Sequence, residues 1–124
     1  VALPGRVDAL VRDGRATEAL AAVAAFEVSP AGRDLAASGL DDTDLRLLRA
    51  KALAARGDAA EAEAVFDKLA AEAPTDFRPL LAKGLFLREQ GPGRALAADK
   101  AFVQARLLAP KDARKMVDRL IGDR

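Results

Sequence analysis

An all-α fold, a solenoid of helical hairpins closed by a C-terminal capping helix, is what the sequence predicts, and three observations carry it. Hydrophobic residues make up 51% of the 124 but aromatics only 4%, so alanine and leucine, strong helix formers, supply the core and the residues that favour strands are scarce. Apolar residues recur at three-to-four spacing on both sides of Gly14, Gly57 and Gly91, as amphipathic helices joined by a left-handed glycine would have them. Finally, Gly57 and Gly91 stand 34 residues apart and Pro74 and Pro110 stand 36 apart, and a two-helix period of that length is the mark of a helical solenoid.

Each element follows in order within one domain, 1–124. The first hairpin, about residues 4–28, has Val7 and Leu10 before Gly14 and Ala19, Val23, Phe26 and Pro30 after it. Its second helix is apolar all round, from Leu20 through Ala21, Ala22, Val23, Ala24 and Ala25 to Phe26, which calls for cover on two sides unless small alanines are left open. A Gly/Ser/Asp-rich connector over 29–42 comes next, with one helical turn expected at 33–37. The second hairpin, about 43–73, runs through Leu45, Leu48, Ala52 and Leu53 to Gly57, then Ala62, Val65, Phe66 and Leu69 to Pro74. Asp58 followed by Glu61 reads as a helix start. The third, about 77–109, takes Leu80, Leu81, Gly84 and Leu87 to Gly91, then Ala98, Phe102 and Ala105 to Pro110, with Pro92 and Gly93 inserted at the turn. Residues 111–122 form the capping helix, with Ala113, Met116, Val117, Leu120 and Ile121 on one face.

The stretch 43–74 resembles a tetratricopeptide repeat: Ala50 and Leu53, Gly57 and Asp58 at the turn, Ala62, Phe66 and Leu69, and Pro74 at the close. Residues 77–110 resemble it again through Gly84, Leu87, Ala98, Phe102, Ala105 and Pro110. The A-x-x-x-F element is intact in both. Arg46 and Lys83 depart from the pattern, which has large apolar residues there. The unit around Gly14 is more divergent and is either a third repeat or a generic hairpin, so the resemblance implies a right-handed α-solenoid of two to three hairpins. Small residues at 50, 62, 84 and 98 would let helix axes approach, and Phe66 and Phe102 would fill the space between hairpins.

Chemistry is narrowed by what is missing. With no Cys and no His, the chain lacks thiolates, imidazole bases and the commonest metal ligands. Ser29 and Ser38 have no His partner and sit in no G-x-S-x-G turn. Gly91, Pro92 and Gly93 precede no Lys-Ser/Thr pair, so they read as an enlarged turn rather than a phosphate loop. Asp41, Asp42, Asp44, Glu61 and Glu63 match no calcium-loop spacing and read as helix-start charge or a solvated face. No catalytic residue, cofactor or metal is expected.

The net charge of +1 gives no bulk drive toward nucleic acid, yet residues 1–76 carry 9 basic and 14 acidic side chains and 77–124 carry 11 and 5. That asymmetry is a solvated surface or, alternatively, a basic docking face near the C-terminus. The longest apolar run, 19–26, is too short for the roughly 20 residues a membrane span needs, so a soluble chain is expected. It begins at Val1, and the expectation is that an upstream segment is missing and that no address can be read.

The resemblance implies a concave groove lined by the first helix of each hairpin. Leu47, Leu48, Lys51, Ala54 and Ala55 would face it from one unit, and Arg78, Leu81, Ala82, Leu85, Arg88 and Glu89 from the next. Partner-binding residues on this reading are Leu47, Leu48, Lys51, Arg78, Leu81, Leu85 and Arg88, and the partner is a protein segment, an amphipathic helix or an acidic-apolar peptide. The alternative is that Leu47, Leu81 and Leu85 are covered by the 29–42 connector or by another part of a longer protein. The family's clamp for chaperone C-termini uses paired Lys and Asn where this chain has leucines, so that partner is not expected.

The expected function is therefore a non-catalytic adaptor, scaffold or assembly factor. The competing readings are a helical-repeat RNA binder using the basic C-terminal half, disfavoured by the lack of Tyr, Trp and His to stack bases, and a structural subunit of a larger complex. High Ala and Arg usage suits a GC-rich bacterial or algal genome. By analogy alone, small organellar members of this family suggest a membrane-complex subunit as partner, in chloroplast or bacterial cytoplasm.

Overall fold

Alanine-rich, three-to-four-spaced segments become helices, and glycines and prolines mark where they stop. The computed structural model describes residues 2–122; Val1, Asp123 and Arg124 of the expected domain lie outside the described residues. Among the described residues every regular element is helical: α1 Leu3–Arg12, α2 Ala16–Glu27, α3 Pro30–Arg33, α4 Leu35–Ser38, α5 Asp42–Arg56, α6 Ala59–Glu72, α7 Phe77–Glu89, α8 Ala95–Leu108 and α9 Arg114–Ile121. Single 3-10 turns lie at Pro92–Arg94 and Lys111–Ala113. The chain divides into two compact units, Val1–Val65 and Phe66–Arg124, with the boundary inside α6.

In the first unit α1, α2 and α5 pack against one another. Their shared core is Val7, Ala19, Val23 and Ala52, rimmed by Leu3, Leu10, Val11, Leu20 and Leu48. Valines this fully buried contribute about 1.5–3 kcal/mol each. Helix α2 is thus covered by α1 on one side and α5 on another, while Ala21, Ala24 and Ala25 stay exposed, a small loss because a methyl group hides little apolar surface.

Two turns in this unit share one design. At Gly57 (φ 103°) the Asp58 N–H bonds the Leu53 carbonyl at 2.9 Å and the Gly57 N–H bonds that of Ala54 at 3.1 Å, satisfying the last carbonyls of α5 in a Schellman arrangement. Gly14 (φ 76°) does the same for α1, with Arg15 bonding Leu10 and Gly14 bonding Val11.

The connector is more ordered than the single turn expected at 33–37. It forms two helical turns, α3 and α4, broken at Asp34. Pro30 brings no N–H to continue α2. Ser29 bridges the break instead, donating its hydroxyl to the Phe26 carbonyl (2.6 Å) and accepting from the Gly32 N–H (3.2 Å). Gly32 is required for closeness: a Cβ there would fall 2.0 Å from the Phe26 carbonyl oxygen.

In the second unit α7 packs along α8, and α9 lies against both. Phe66, from the end of α6 in this unit, meets Phe86 with ring centroids 5.4 Å apart and planes tilted by 50°, a geometry worth about 0.5–1.5 kcal/mol beyond burial. Gly84 lies under the Phe102 ring so closely that a Cβ would come within 2.5 Å of it. The Pro92–Gly93 insertion takes shape as the 3-10 turn after Gly91; Pro92 has no N–H to make the bond that Asp58 makes after Gly57.

Candidate functional site

The first-helix residues singled out by the sequence are placed by α5 and α7, each described within its own unit. Helix α5 starts where it does because Asp41 and Asp44 form a reciprocal capping box: the Asp44 N–H bonds the Asp41 carboxylate at 2.8 Å and the Asp41 N–H bonds that of Asp44 at 3.0 Å. Such a cap is worth about 1 kcal/mol, and it accounts for the acidic cluster there. Among the described residues no group of three or more acidic side chains is arranged to hold a metal ion.

Along α5, Leu47 is half-buried one turn before Lys51, while Leu48 turns inward onto the α1–α2–α5 core. Lys51 pairs with Asp8 of α1, both about half exposed. An exposed pair of this kind contributes roughly 0–1 kcal/mol, so it adds little to the fold.

Along α7 the sequence-predicted residues divide more sharply. Arg78 is held by the Asp76 carboxylate through Nε at 3.0 Å and Nη2 at 2.6 Å, and Asp76 also accepts the Arg78 N–H at the start of the helix. Leu81 is buried, 6% exposed, and belongs to the core. Leu85 remains half-buried. Arg88 reaches the far end of α9, donating to the carbonyls of Ile121 (2.5 Å) and Leu120 (3.1 Å), and its guanidinium lies 5.4 Å from the Phe102 ring centroid. It caps the C-terminal carbonyls of α9, where cations are favoured, and covers the ring wedged on Gly84.

The two departures from the repeat pattern also find partners. Arg46 reaches Asp42 one turn back at 3.6 Å. Lys83 pairs with Asp67 of α6 at 2.5 Å. Both positions therefore hold side chains whose charge is met at the surface.

Equivalent positions of the two repeat-like stretches share the same degree of burial. Ala62 and Ala98 are both 0% exposed, Phe66 and Phe102 both 3%. Leu53 and Leu87 are buried, as are Ala50 and Gly84. No protein family, curated protein or solved structure matches the chain.

Three of the large apolar side chains left exposed lie on a surface that the first-helix reading passes over. On α8, Leu96, Val103 and Leu107 are 87%, 54% and 78% exposed. The same helix buries Ala98, Ala101, Phe102 and Ala105 on its opposite side. The signal was present in the sequence, since 96, 100, 103 and 107 follow 4-3-4 spacing, but the periodicity that marks the core face draws attention first. Among the described residues no helix is long and apolar enough to cross a membrane.

Proposed function

We propose that the chain is a non-catalytic protein-interaction module of the tetratricopeptide kind, an adaptor or assembly factor whose hairpins are successive repeats of a right-handed solenoid. The observation that carries this reading is the matched burial of the A-x-x-x-F elements, Ala62 with Phe66 and Ala98 with Phe102, and of the small residues at 50 and 84. Both stretches bury the same side-chain types to the same degree, as repeats would. Charged groups are spent on caps, surface pairs and the α9 clamp, with no polar side chain among the buried described residues, which suits a scaffold more than a reaction centre.

The contact residues proposed are those that stay accessible: Leu47 and Lys51 on α5, and Leu85 on α7. Leu48 and Leu81 pack into the cores of their units, Arg78 is engaged by Asp76 at the start of α7, and Arg88 clamps the end of α9. The partner each of these helix faces fits is an amphipathic helix or an acidic-apolar peptide, with Lys51 turned from Asp8 to the one on α5.

The test is an affinity capture from the native source with and without nuclease, comparing wild type with a Leu47→Glu, Leu85→Glu double variant whose helix content is checked by circular dichroism. A nuclease-resistant protein partner lost in the folded double variant is expected. Partners that vanish with nuclease would replace this reading with RNA binding, and undiminished capture by the variant would move the interface elsewhere.

A further inference from the structure

The outward face of α8 is a second, separate surface. Leu96, Lys100, Val103 and Leu107 succeed one another at 4-3-4 spacing, the heptad seam of a helix that expects another helix beside it. All four are exposed, the three apolar ones by more than half. They stand opposite the α8 residues that face the core, so the seam adds nothing to the fold. It runs about 16 Å along the helix axis.

We propose that this face docks an acidic amphipathic helix of a partner protein, its apolar residues laid along Leu96, Val103 and Leu107 and a carboxylate opposite Lys100. Charge selects this occupant. Lys100 sits in the middle of the seam with no ion pair among the described residues, and Lys111, exposed just past the end of α8, is likewise unpaired. Arg106 on one flank already has its carboxylate in Asp118, at 3.0 Å.

A second copy of this chain is a poor occupant. In a parallel pairing the two Lys100 ammonium groups meet, and in an antiparallel one they crowd the same two-fold axis. A lipid surface also fits badly, because the apolar stripe is one residue wide and interrupted by Lys100, whereas interfacial helices keep their lysines on the polar face. A partner helix with a glutamate in register satisfies both the leucines and the lysine. This surface does not depend on the α5 and α7 residues proposed above.

Fluorescence anisotropy with the full chain tests it, using two labelled synthetic amphipathic helices of identical apolar face, one carrying glutamates beside that face and the other lysines. The glutamate helix is expected to bind at least about tenfold tighter. In a Leu47→Glu, Leu85→Glu background, which removes the α5 and α7 leucines, Leu96→Glu with Leu107→Glu should weaken it more than about tenfold, and Lys100→Glu should reverse the preference between the two helices. All substituted α8 residues are exposed, and circular dichroism confirms each variant's fold. Equal binding of both helices, or binding indifferent to the α8 variants, overturns the proposal. Sedimentation showing a dimer that Leu107→Glu dissolves would assign the face to a second copy, and binding confined to phosphatidylserine vesicles would assign it to lipid; either overturns the acidic helix.

Discussion

Gly84 and Phe102 show how a single missing methyl group sets the spacing of two helices. Glycine in a helix interior costs about 0.5–1 kcal/mol relative to alanine, so its presence at mid-α7 needs a reason, and the reason is the Phe102 ring 2.5 Å from where a Cβ would be. Phe102 is 3% exposed and covered by Arg88, which leaves the ring little room to retreat. Overpacking of this kind costs about 1–3 kcal/mol, more than the helix propensity regained. Gly84→Ala should therefore lower stability by about 1–2 kcal/mol in urea denaturation, and Phe102→Leu in the Gly84→Ala background should recover part of it. A Gly84→Ala protein more stable than wild type would mean that the ring yields and the spacing is set elsewhere. This pair was legible in the sequence, because a glycine inside an apolar periodic run and a recurrent A-x-x-x-F are both local patterns. Leu81 was not. The resemblance put it in the groove, and only the packed unit shows that its side chain turns into the core.

At the scale of the element, α9 depends on a residue more than thirty positions earlier in the chain. The helix buries Val117 and Ile121 and leaves Met116 and Leu120 partly exposed, so two side chains, the exposed Asp118–Arg106 pair and the Arg88 bonds to its last carbonyls hold it down. Hydrogen bonds to a charged group are worth about 1.5–3 kcal/mol, and the guanidinium over Phe102 adds about 0.5–1 kcal/mol at an exposed site. Arg88→Ala should cost about 2 kcal/mol and speed amide exchange in α9 ahead of α7 and α8, while Arg88→Lys, which keeps the charge without the fork, should fall between. Uniform acceleration across the three helices would show that Arg88 stabilises the unit generally and does not clamp α9. Helix ends and turn glycines could be read from sequence because their signals are nearest-neighbour ones, as at Gly57 and Asp41. The clamp could not, since an arginine at 88 carries no local mark of the carbonyls at 120 and 121. The two turns of the connector were half visible for the same reason: Pro30 announces a stop, but Ser29 bridging Phe26 to Gly32 is a contact between segments.

For the whole molecule the decisive quantity is how much positive charge remains for a partner. The sequence gives residues 77–124 11 basic side chains against 5 acidic, which on its own favours a polyanion. The structure reduces that surplus. Arg78 is held by Asp76, Lys83 by Asp67, Arg106 by Asp118, and Arg88 by the carbonyls of α9. What stays unpaired among the described residues of 77–122 is Lys100, Lys111, Arg114, Lys115 and Arg119, with no Tyr, Trp or His anywhere in the chain for bases to stack on. A phosphate backbone meeting so few free cations gains mainly counterion release, which gives affinities of about 10⁻⁴–10⁻⁶ M that fall steeply with salt, and without stacking each base forfeits about 1–3 kcal/mol. Anisotropy with a labelled single-stranded RNA 20-mer should therefore show binding at low salt that all but disappears at physiological ionic strength and does not distinguish base composition. The acidic helix on α8 draws on apolar burial as well as on Lys100, so its binding should weaken far less over the same salt range. Tight, base-selective RNA binding that persists at physiological salt would reverse the order of the two readings and make the basic half of the chain its working surface.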